Sequence, residues 1–278
     1  MRVLALSPGS LQDQLDRLPA LASLCQQLDA SLYVACDPKV SAAWNLLSVV
    51  KKVFSFGFET NPSLADWANL LGNVREPDFQ VCINFAKGQQ VNLMLFMSHI
   101  PNRIAASGFA CTDLVVHEGS GFSPQRLASY LTPLGCSLDA NAFRLTLPRQ
   151  ELEESRSSQP PGDGPMLMLA PSKSYGDWPS ERWSSLPRSI SNRLANLRSV
   201  TLDRGLPLRR CAAAVACADV VLSSCAVTQR LAVYFGIPLL ALGAQPDDLP
   251  ERPEIRCLGK KGALASLSEN EVLNALGF

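Results

Sequence analysis

An aspartate follows the first apolar run of the chain, at a place where its carboxylate can accept a proton. Residues 3–6 predict a β-strand, the sequence Pro8-Gly9-Ser10 predicts a turn, and Asp13 falls in the first turn of the helix after it. The partial positive charge of a helix N-terminus favours an ionised carboxylate, and such a carboxylate is suited to general-base chemistry. The simpler alternative is that Asp13 only caps the helix.

The elements that would position this carboxylate belong to a long alternation of apolar runs and helical patterns. Strands are predicted at residues 3–6, 32–35, 53–56, 80–85, 103–106, 114–117, 166–169, 200–202, 220–223 and 238–242. Helices are predicted after Ser10 and Ser63, and at residues 40–47, 91–100, 124–134, 179–194, 208–218, 228–235 and 272–276. Such alternation predicts an α/β fold with parallel sheets, in which ligands bind beyond the carboxyl ends of the strands.

A polar segment interrupts this alternation near the middle of the chain. Residues 151–164 read ELEESRSSQPPGDG, lack the apolar residues of a core and end in proline and glycine, so they predict an interdomain linker. The chain has 278 residues, which is long enough for two domains. We therefore predict Rossmann-like domains at residues 1–150 and 165–278.

Composition excludes several classes of function. The chain carries 25 basic and 25 acidic residues, and this balance argues against a nucleic-acid partner. No apolar stretch reaches the roughly 18 residues that indicate a transmembrane helix, and the N-terminal apolar run is too short for a signal peptide. Two histidines, and nine cysteines without a Cys-x-x-Cys pair, predict neither a metal site nor another cofactor.

Four short segments carry a family resemblance. They are residues 8–15 with Leu-Pro-Ala-Leu at 18–21, Asp177-Trp178-Pro179, residues 218–221 with Gly-Ile-Pro at 236–238, and residues 240–243. In this order they resemble glycosyltransferase family 9, the ADP-heptose:lipopolysaccharide heptosyltransferases, and residues 63–67 resemble a cyanobacterial group of divergent members. The resemblance implies the GT-B fold, in which an acceptor-side and a nucleotide-sugar-side Rossmann-like domain face each other across a cleft.

The resemblance also assigns a role to the N-terminal turn. In the family, the aspartate that matches Asp13 is the proposed general base that deprotonates the acceptor hydroxyl. Gly9, Ser10 and Gln12 form the matching acceptor-side turn, and Gln12 stands where the family has a glycine.

On the donor side the chain departs from the family pattern. The family motif Asp-Thr-Gly-x-x-His holds the nucleotide diphosphate at a helix N-terminus. Here Cys225, Ala226 and Val227 replace its first three residues, and Arg230 replaces its histidine. Arg230 is either a phosphate ligand or a solvated helix residue.

A loop after residue 169 resembles the family's second phosphate-binding segment. Ser172 matches a hydroxyl position, and Gly176 stands at the position of a lysine. Lys173 could reach the same phosphate from a different position, or it is a surface lysine. Relative to the family, the second domain is shortened by one strand–helix unit near residues 196–209.

These observations predict an inverting, metal-independent glycosyltransferase that moves a sugar, by resemblance heptose from ADP-heptose, to a lipopolysaccharide or another cell-envelope glycan. The partners would be a nucleotide sugar and a glycolipid or glycan acceptor, with at most peripheral contact with the inner membrane from the cytoplasmic side. The main alternative is a degenerate relative that keeps the fold and acts as a binding or partner protein. A third alternative, a sugar-nucleotide epimerase or another GT-B enzyme, has no specific residue to support it.

Overall fold

Two parallel β-sheets, one in each half of the chain, organise the protein. The computed structural model describes residues 1–116, 121–172, 174–203 and 205–278. The chain divides into two units, Met1–Phe143 and Arg144–Phe278. Each unit is a parallel sheet with helices in most connections between successive strands, so the predicted α/β class with parallel sheets is confirmed.

The first unit contains a six-stranded sheet in the order β3-β2-β1-β4-β5-β6. Its strands are β1 (Arg2–Leu6), β2 (Ser31–Cys36), β3 (Val50–Ser55), β4 (Val81–Asn84), β5 (Asn102–Ala105) and β6 (Asp113–Leu114). Its helices are α1 (Leu11–Gln27), α2 (Leu64–Arg75) and α3 (Gln89–Ser98). The central strands β1 and β4 are almost wholly apolar and buried because helices cover both faces of the sheet.

Two predicted α-helices of the first unit are 3₁₀ helices instead. The segment predicted at 40–47 forms the 3₁₀ helix Pro38–Leu46, and the segment predicted at 124–134 forms two short ones, Gln125–Tyr130 and Thr132–Leu134. In the second case Pro133 has no backbone N–H to donate, so a continuous α-helix is disfavoured there. The predicted strand at 114–117 is found only as Asp113–Leu114, and its last residue lies outside the described residues.

The second unit contains a five-stranded sheet in the order β11-β10-β9-β7-β8. Its strands are β7 (Met166–Ala170), β8 (Arg198–Thr201), β9 (Val220–Ser223), β10 (Leu239–Leu242) and β11 (Ile255–Leu258). Its helices are α4 (Arg149–Ser157), α5 (Ser180–Ser191), α6 (Leu208–Ala216), α7 (Ala226–Phe235) and α8 (Glu269–Leu276). Trp178 and Trp183 are buried in its core with ring centroids 5.3 Å apart.

The first half of the segment predicted as a linker is helical. α4 covers residues of the predicted linker and packs against α6, so it belongs to the second unit. The Arg209 guanidinium donates to both carboxylate oxygens of Glu151 at 2.8 Å. A helix held by ion pairs rather than by an apolar stripe has the composition of a linker, and this is why the sequence did not reveal α4.

Strand β11 was not predicted from the sequence. It pairs with β10 at one edge of the sheet, and its residues are exposed or only partly buried. An edge strand therefore lacks the uninterrupted apolar run that marks the central strands. In the described part of the chain, no helix is long and apolar enough to span a bilayer.

Candidate functional site

The strand order of the first sheet places a cavity beside Asp13. β1 and β4 are neighbours with Leu6 opposite Asn84, and the connections after them lead to opposite sides of the sheet. Such a switch point is where open α/β sheets bind ligands, beyond the carboxyl ends of the strands. A cavity of about 350 Å³ lies there, lined by residues that include Asp13, Asp16, Arg17, Asn84, Lys87 and Tyr130.

The Asp13 carboxylate is held on one side and open on the other. Its Oδ2 atom accepts hydrogen bonds from the backbone N–H and the hydroxyl of Ser10, each at 2.7 Å, which completes a capping box. Gly9 has φ +95°, and a Cβ at that residue would lie 2.6 Å from Oδ2, so only glycine permits this approach. Among the described residues, Oδ1 has no hydrogen-bond partner, and the side chain is exposed. Asp13 thus caps the helix and still presents an oxygen to the cavity.

The remaining turn residue, Gln12, faces away from this carboxylate. Its Nε2 donates to Asp16 Oδ1 at 3.1 Å, and Asp16 Oδ2 accepts from the Ser123 hydroxyl at 2.8 Å. The structure therefore brings Gly9, Ser10 and Asp13 together, whereas the Gln12 side chain is hydrogen-bonded to Asp16.

Arg17 lies one turn after Asp13 and was not identified from the sequence. Its Nη1 donates to the Ser7 hydroxyl at 2.7 Å and to the Pro8 carbonyl at 2.5 Å, and its guanidinium lies 4.6 Å from the centre of the Phe85 ring. Burial lowers the pKa of Arg17, and the nearby Asp13 carboxylate opposes that shift most strongly. Arginine stays charged despite such a shift. The four-residue spacing from Asp13 on one helix face could have revealed it.

Tyr130 completes the aromatic wall of the same cavity. Its ring lies 4.7 Å from the Phe85 ring, and burial raises the pKa of its phenol. Nothing in the local sequence relates Tyr130 to Asp13, because the two are brought together only by the tertiary fold.

The second sheet has its own switch point, between β7 and β9. Ala170 lies opposite Ser223, so the loops that follow the two strands are adjacent. The Ser172 N–H donates to Ser224 Oγ at 2.8 Å, and the Cys225 N–H donates to Ser223 Oγ at 3.0 Å. The structure thus brings together the predicted donor segments at Ser172 and Cys225.

Helix α7 begins directly after this loop. Cys225 is its N-cap residue and gives no side-chain cap, and Ala226, Val227 and Thr228 form its first turn. The first N–H groups of a helix have no acceptor within the helix and form an anion-binding end. Within the same helix, Gln229 Nε2 donates to the carbonyls of Ser223 at 2.7 Å and Leu242 at 3.2 Å, which fixes the helix to the sheet.

Arg230 is buried, with 2% of its surface exposed. The alternative that it is a solvated helix residue is therefore wrong. The other interpretation, that Arg230 is a phosphate ligand, stays a prediction.

Of the predicted lysine contacts, Lys173 lies outside the described residues. Gly176, at the family's lysine position, has φ +76°, and a Cβ there would lie 2.5 Å from the Gly262 carbonyl oxygen. No lysine fits at this position because the segment around Gly262 occupies the space.

Comparison with known proteins places the fold. No protein-family model matches the chain, and no curated protein matches it in sequence. A glycosyltransferase family 9 protein from Veillonella parvula is similar with a TM-score of 0.77 and 12% identity, over 99% of this chain and 96% of that one. The E. coli ADP-heptose lipopolysaccharide heptosyltransferase II is similar with a TM-score of 0.79 and 14% identity, over 100% of this chain and 98% of that one. E. coli heptosyltransferase WaaC with ADP-2-deoxy-2-fluoro heptose is similar with a TM-score of 0.72 and 14% identity, over 100% of this chain and 99% of that one.

The predicted GT-B fold is confirmed by these structures, which cover both units of the chain. At 12% to 14% identity the likeness concerns the fold. Activity depends on the residues at the two switch points and does not follow from the fold.

Proposed function

We propose that the protein is an inverting glycosyltransferase, similar to family 9, that transfers a sugar from a nucleotide sugar to a glycan hydroxyl. The observation that carries the proposal is the Asp13 carboxylate at the first switch-point cavity, with Oδ2 held by Ser10 and Oδ1 open. A fixed carboxylate with one free oxygen beside a cavity is the arrangement that a general base requires.

In the proposed step, Asp13 Oδ1 accepts the proton of the acceptor hydroxyl. The hydroxyl oxygen forms a bond to the anomeric carbon of the donor sugar as the bond to the diphosphate oxygen breaks. The nucleoside diphosphate leaves with that electron pair, the anomeric configuration inverts, and Asp13 later releases its proton to water. Arg17, held by Ser7 and Pro8, supplies a fixed positive charge near the carboxylate.

The second unit is proposed to hold the donor diphosphate. First-turn N–H groups of α7, at Ala226, Val227 and Thr228, would stabilise the charge that develops on the leaving group, without a metal ion. The Ser172 hydroxyl lies in the loop that is hydrogen-bonded to the residue before Cys225. Lys173 and the buried Arg230 remain predicted phosphate ligands.

The donor is proposed to be an ADP-linked heptose because E. coli WaaC, of similar fold, has been solved with ADP and with ADP-2-deoxy-2-fluoro heptose. The acceptor is proposed to be lipopolysaccharide or another cell-envelope glycan. With a lipid-borne acceptor, the protein would associate transiently and peripherally with the cytoplasmic face of the inner membrane.

The donor proposal is tested by thermal unfolding with ADP, UDP, GDP, CMP and ADP-heptose. A ligand that binds only the folded state adds about 2.7 kcal/mol at 100 times its dissociation constant, which is seen as a raised midpoint. We expect a selective rise with ADP and ADP-heptose. A rise with UDP alone would reassign the nucleotide, and no rise with any of the five compounds would contradict a working donor site.

A second candidate, a non-catalytic binding protein, is favoured only by the altered residues of the predicted donor segment. Val227 is β-branched where the family has glycine, and Cys225 removes a carboxylate. This candidate predicts no nucleotide-dependent shift, so the same experiment separates the two.

A further inference from the structure

Asn84 occupies the centre of the first switch point. It is the last residue of β4, lies opposite Leu6 of β1, and is 2% exposed while lining the cavity that contains Asp13. The three residues before it in the strand are apolar and buried. A polar amide at this position therefore stands out from the strand pattern.

The orientation of the Asn84 amide is fixed by the backbone. Its Oδ1 atom accepts a hydrogen bond from the Ala86 N–H at 2.9 Å. A flipped amide would place its NH₂ group against that N–H, donor against donor, so the observed assignment is the consistent one. The NH₂ group must then point elsewhere.

The Asn84 NH₂ group has no hydrogen-bond acceptor among the described residues, although its Nδ2 atom is buried. Buried amide donors are paired in the great majority of native structures. Leaving one unpaired is unfavourable, and an apolar side chain would avoid the loss. An unpaired donor in a cavity wall is the arrangement expected where a ligand supplies the acceptor atom.

We propose that Asn84 is an acceptor-binding residue whose Nδ2 donates a hydrogen bond to an oxygen of the acceptor sugar. This inference rests on the proposed transferase function. Asp13 and Asp16 offer carboxylate oxygens in the same cavity, so the wall presents both donors and acceptors of hydrogen bonds. A sugar with neighbouring hydroxyl groups matches this combination, because each hydroxyl donates and accepts. Nδ2 is closed to bulk water in this structure, so a binding sugar must shift the adjoining cavity wall slightly to reach it.

The test uses Asn84→Asp and Asn84→Ser. Both keep an oxygen that can accept from the Ala86 N–H, and both lose the amide NH₂. Ionised aspartate has no donor at all, and serine adds no charge but keeps one O–H donor on a shorter side chain. The probes are the methyl glycosides of glucose, galactose, mannose and heptose, titrated by NMR into the ¹⁵N-labelled full chain. The Asn84 NH₂ signals are assigned by their loss in the variants.

We expect at least one glycoside to shift the Asn84 NH₂ signals, with its dissociation constant roughly two- to tenfold weaker in both variants. Nucleotide-induced thermal shifts should stay at the wild-type value. The inference is overturned if no glycoside binds the wild type, or if the variants bind it with unchanged affinity.

The same experiment keeps the two proposals apart. Asn84-dependent glycoside binding without transfer from any donor would leave the binding residue standing and contradict the transferase. Transfer that depends on Asp13, with the same acceptor KM in wild type and both Asn84 variants, would contradict the role of Asn84 only.

Discussion

Replacement of Asp13 by asparagine removes the proposed base and leaves most of its surroundings intact. Asparagine has the size of aspartate and can offer one oxygen to the Ser10 N–H and hydroxyl, which lie 2.7 Å from Oδ2. The helix loses the favourable interaction between a negative charge and its N-terminus, which contributes about 0.3–1 kcal/mol. The variant should therefore remain folded, with a slightly lower unfolding midpoint.

The expected effect on transfer is much larger than this effect on stability. A positioned general base contributes about 10²–10⁴-fold to the rate, which corresponds to roughly 3–5 kcal/mol of activation free energy. If Asp13 only caps α1, the change in kcat should be small and should follow the change in stability. The two roles therefore differ by about a hundredfold or more in the measured rate.

A second capping box provides the matched control. On α2, Asp66 Oδ2 accepts from the Ser63 N–H at 2.8 Å and the Ser63 hydroxyl at 2.7 Å, the same arrangement as at Asp13. We expect Asp66→Asn to lower the midpoint slightly and to leave kcat unchanged, while Asp13→Asn lowers kcat at least a hundredfold. The assay measures released nucleoside diphosphate and the unfolding midpoint of both variants. Wild-type kcat in Asp13→Asn would refute the assignment of Asp13 as the base.

Two further predictions concern the second unit. Gly176→Ala should destabilise the fold by about 1 kcal/mol or more, measured by denaturant unfolding, because φ is +76° and the new Cβ would meet the Gly262 carbonyl; an unchanged midpoint would contradict this close approach. Arg209→Met should cost about 0.2–1 kcal/mol at neutral pH and low salt, since the pair with Glu151 is partly exposed and screened by solvent. The hydrogen bond from Arg209 lowers the pKa of Glu151 below its ordinary 4.5. The contribution of Glu151 is thus present above pH 4.5 and is lost as the pH falls through the lowered value. Denaturant unfolding at neutral pH and at an acidic pH below that value should show the difference in stability between variant and wild type shrinking in acid. A difference in stability that grows in acid would contradict the pairing.

The sequence predicts best the elements whose own residues carry the apolar pattern that burial requires. β7 and β10 are apolar throughout, and β1 and β4 are apolar except for Arg2 and Asn84 at one end of each; burial between two layers of helices favours that pattern. α4 and β11 are stabilised by contacts with other elements, by ion pairs to α6 in one case and by pairing with β10 in the other. Such elements carry little local signal.

The candidate site divides in the same way. Asp13 could be predicted because turn, cap and carboxylate are neighbours in the sequence. Asn84 could not, because its significance depends on β4 lying beside β1 and on an amide left without an acceptor. Its available signal, an asparagine at the carboxyl end of an apolar strand, becomes informative only once the strand order is known.

In the altered donor segment, the side chains and the backbone N–H groups make separate contributions to binding a diphosphate. Where the family that the sequence resembles has Asp-Thr-Gly, this chain has Cys225, Ala226 and Val227. The segment therefore lacks a carboxylate and carries a β-branched side chain, but the first-turn N–H groups of α7 are still present. The loop before them is still held to the β7 loop by the Ser172 to Ser224 hydrogen bond. Val227 therefore restricts how closely a diphosphate can approach without removing the donors that would bind it. We therefore expect weak donor binding rather than none, seen as a nucleotide-induced shift of the unfolding midpoint that saturates only at high concentration.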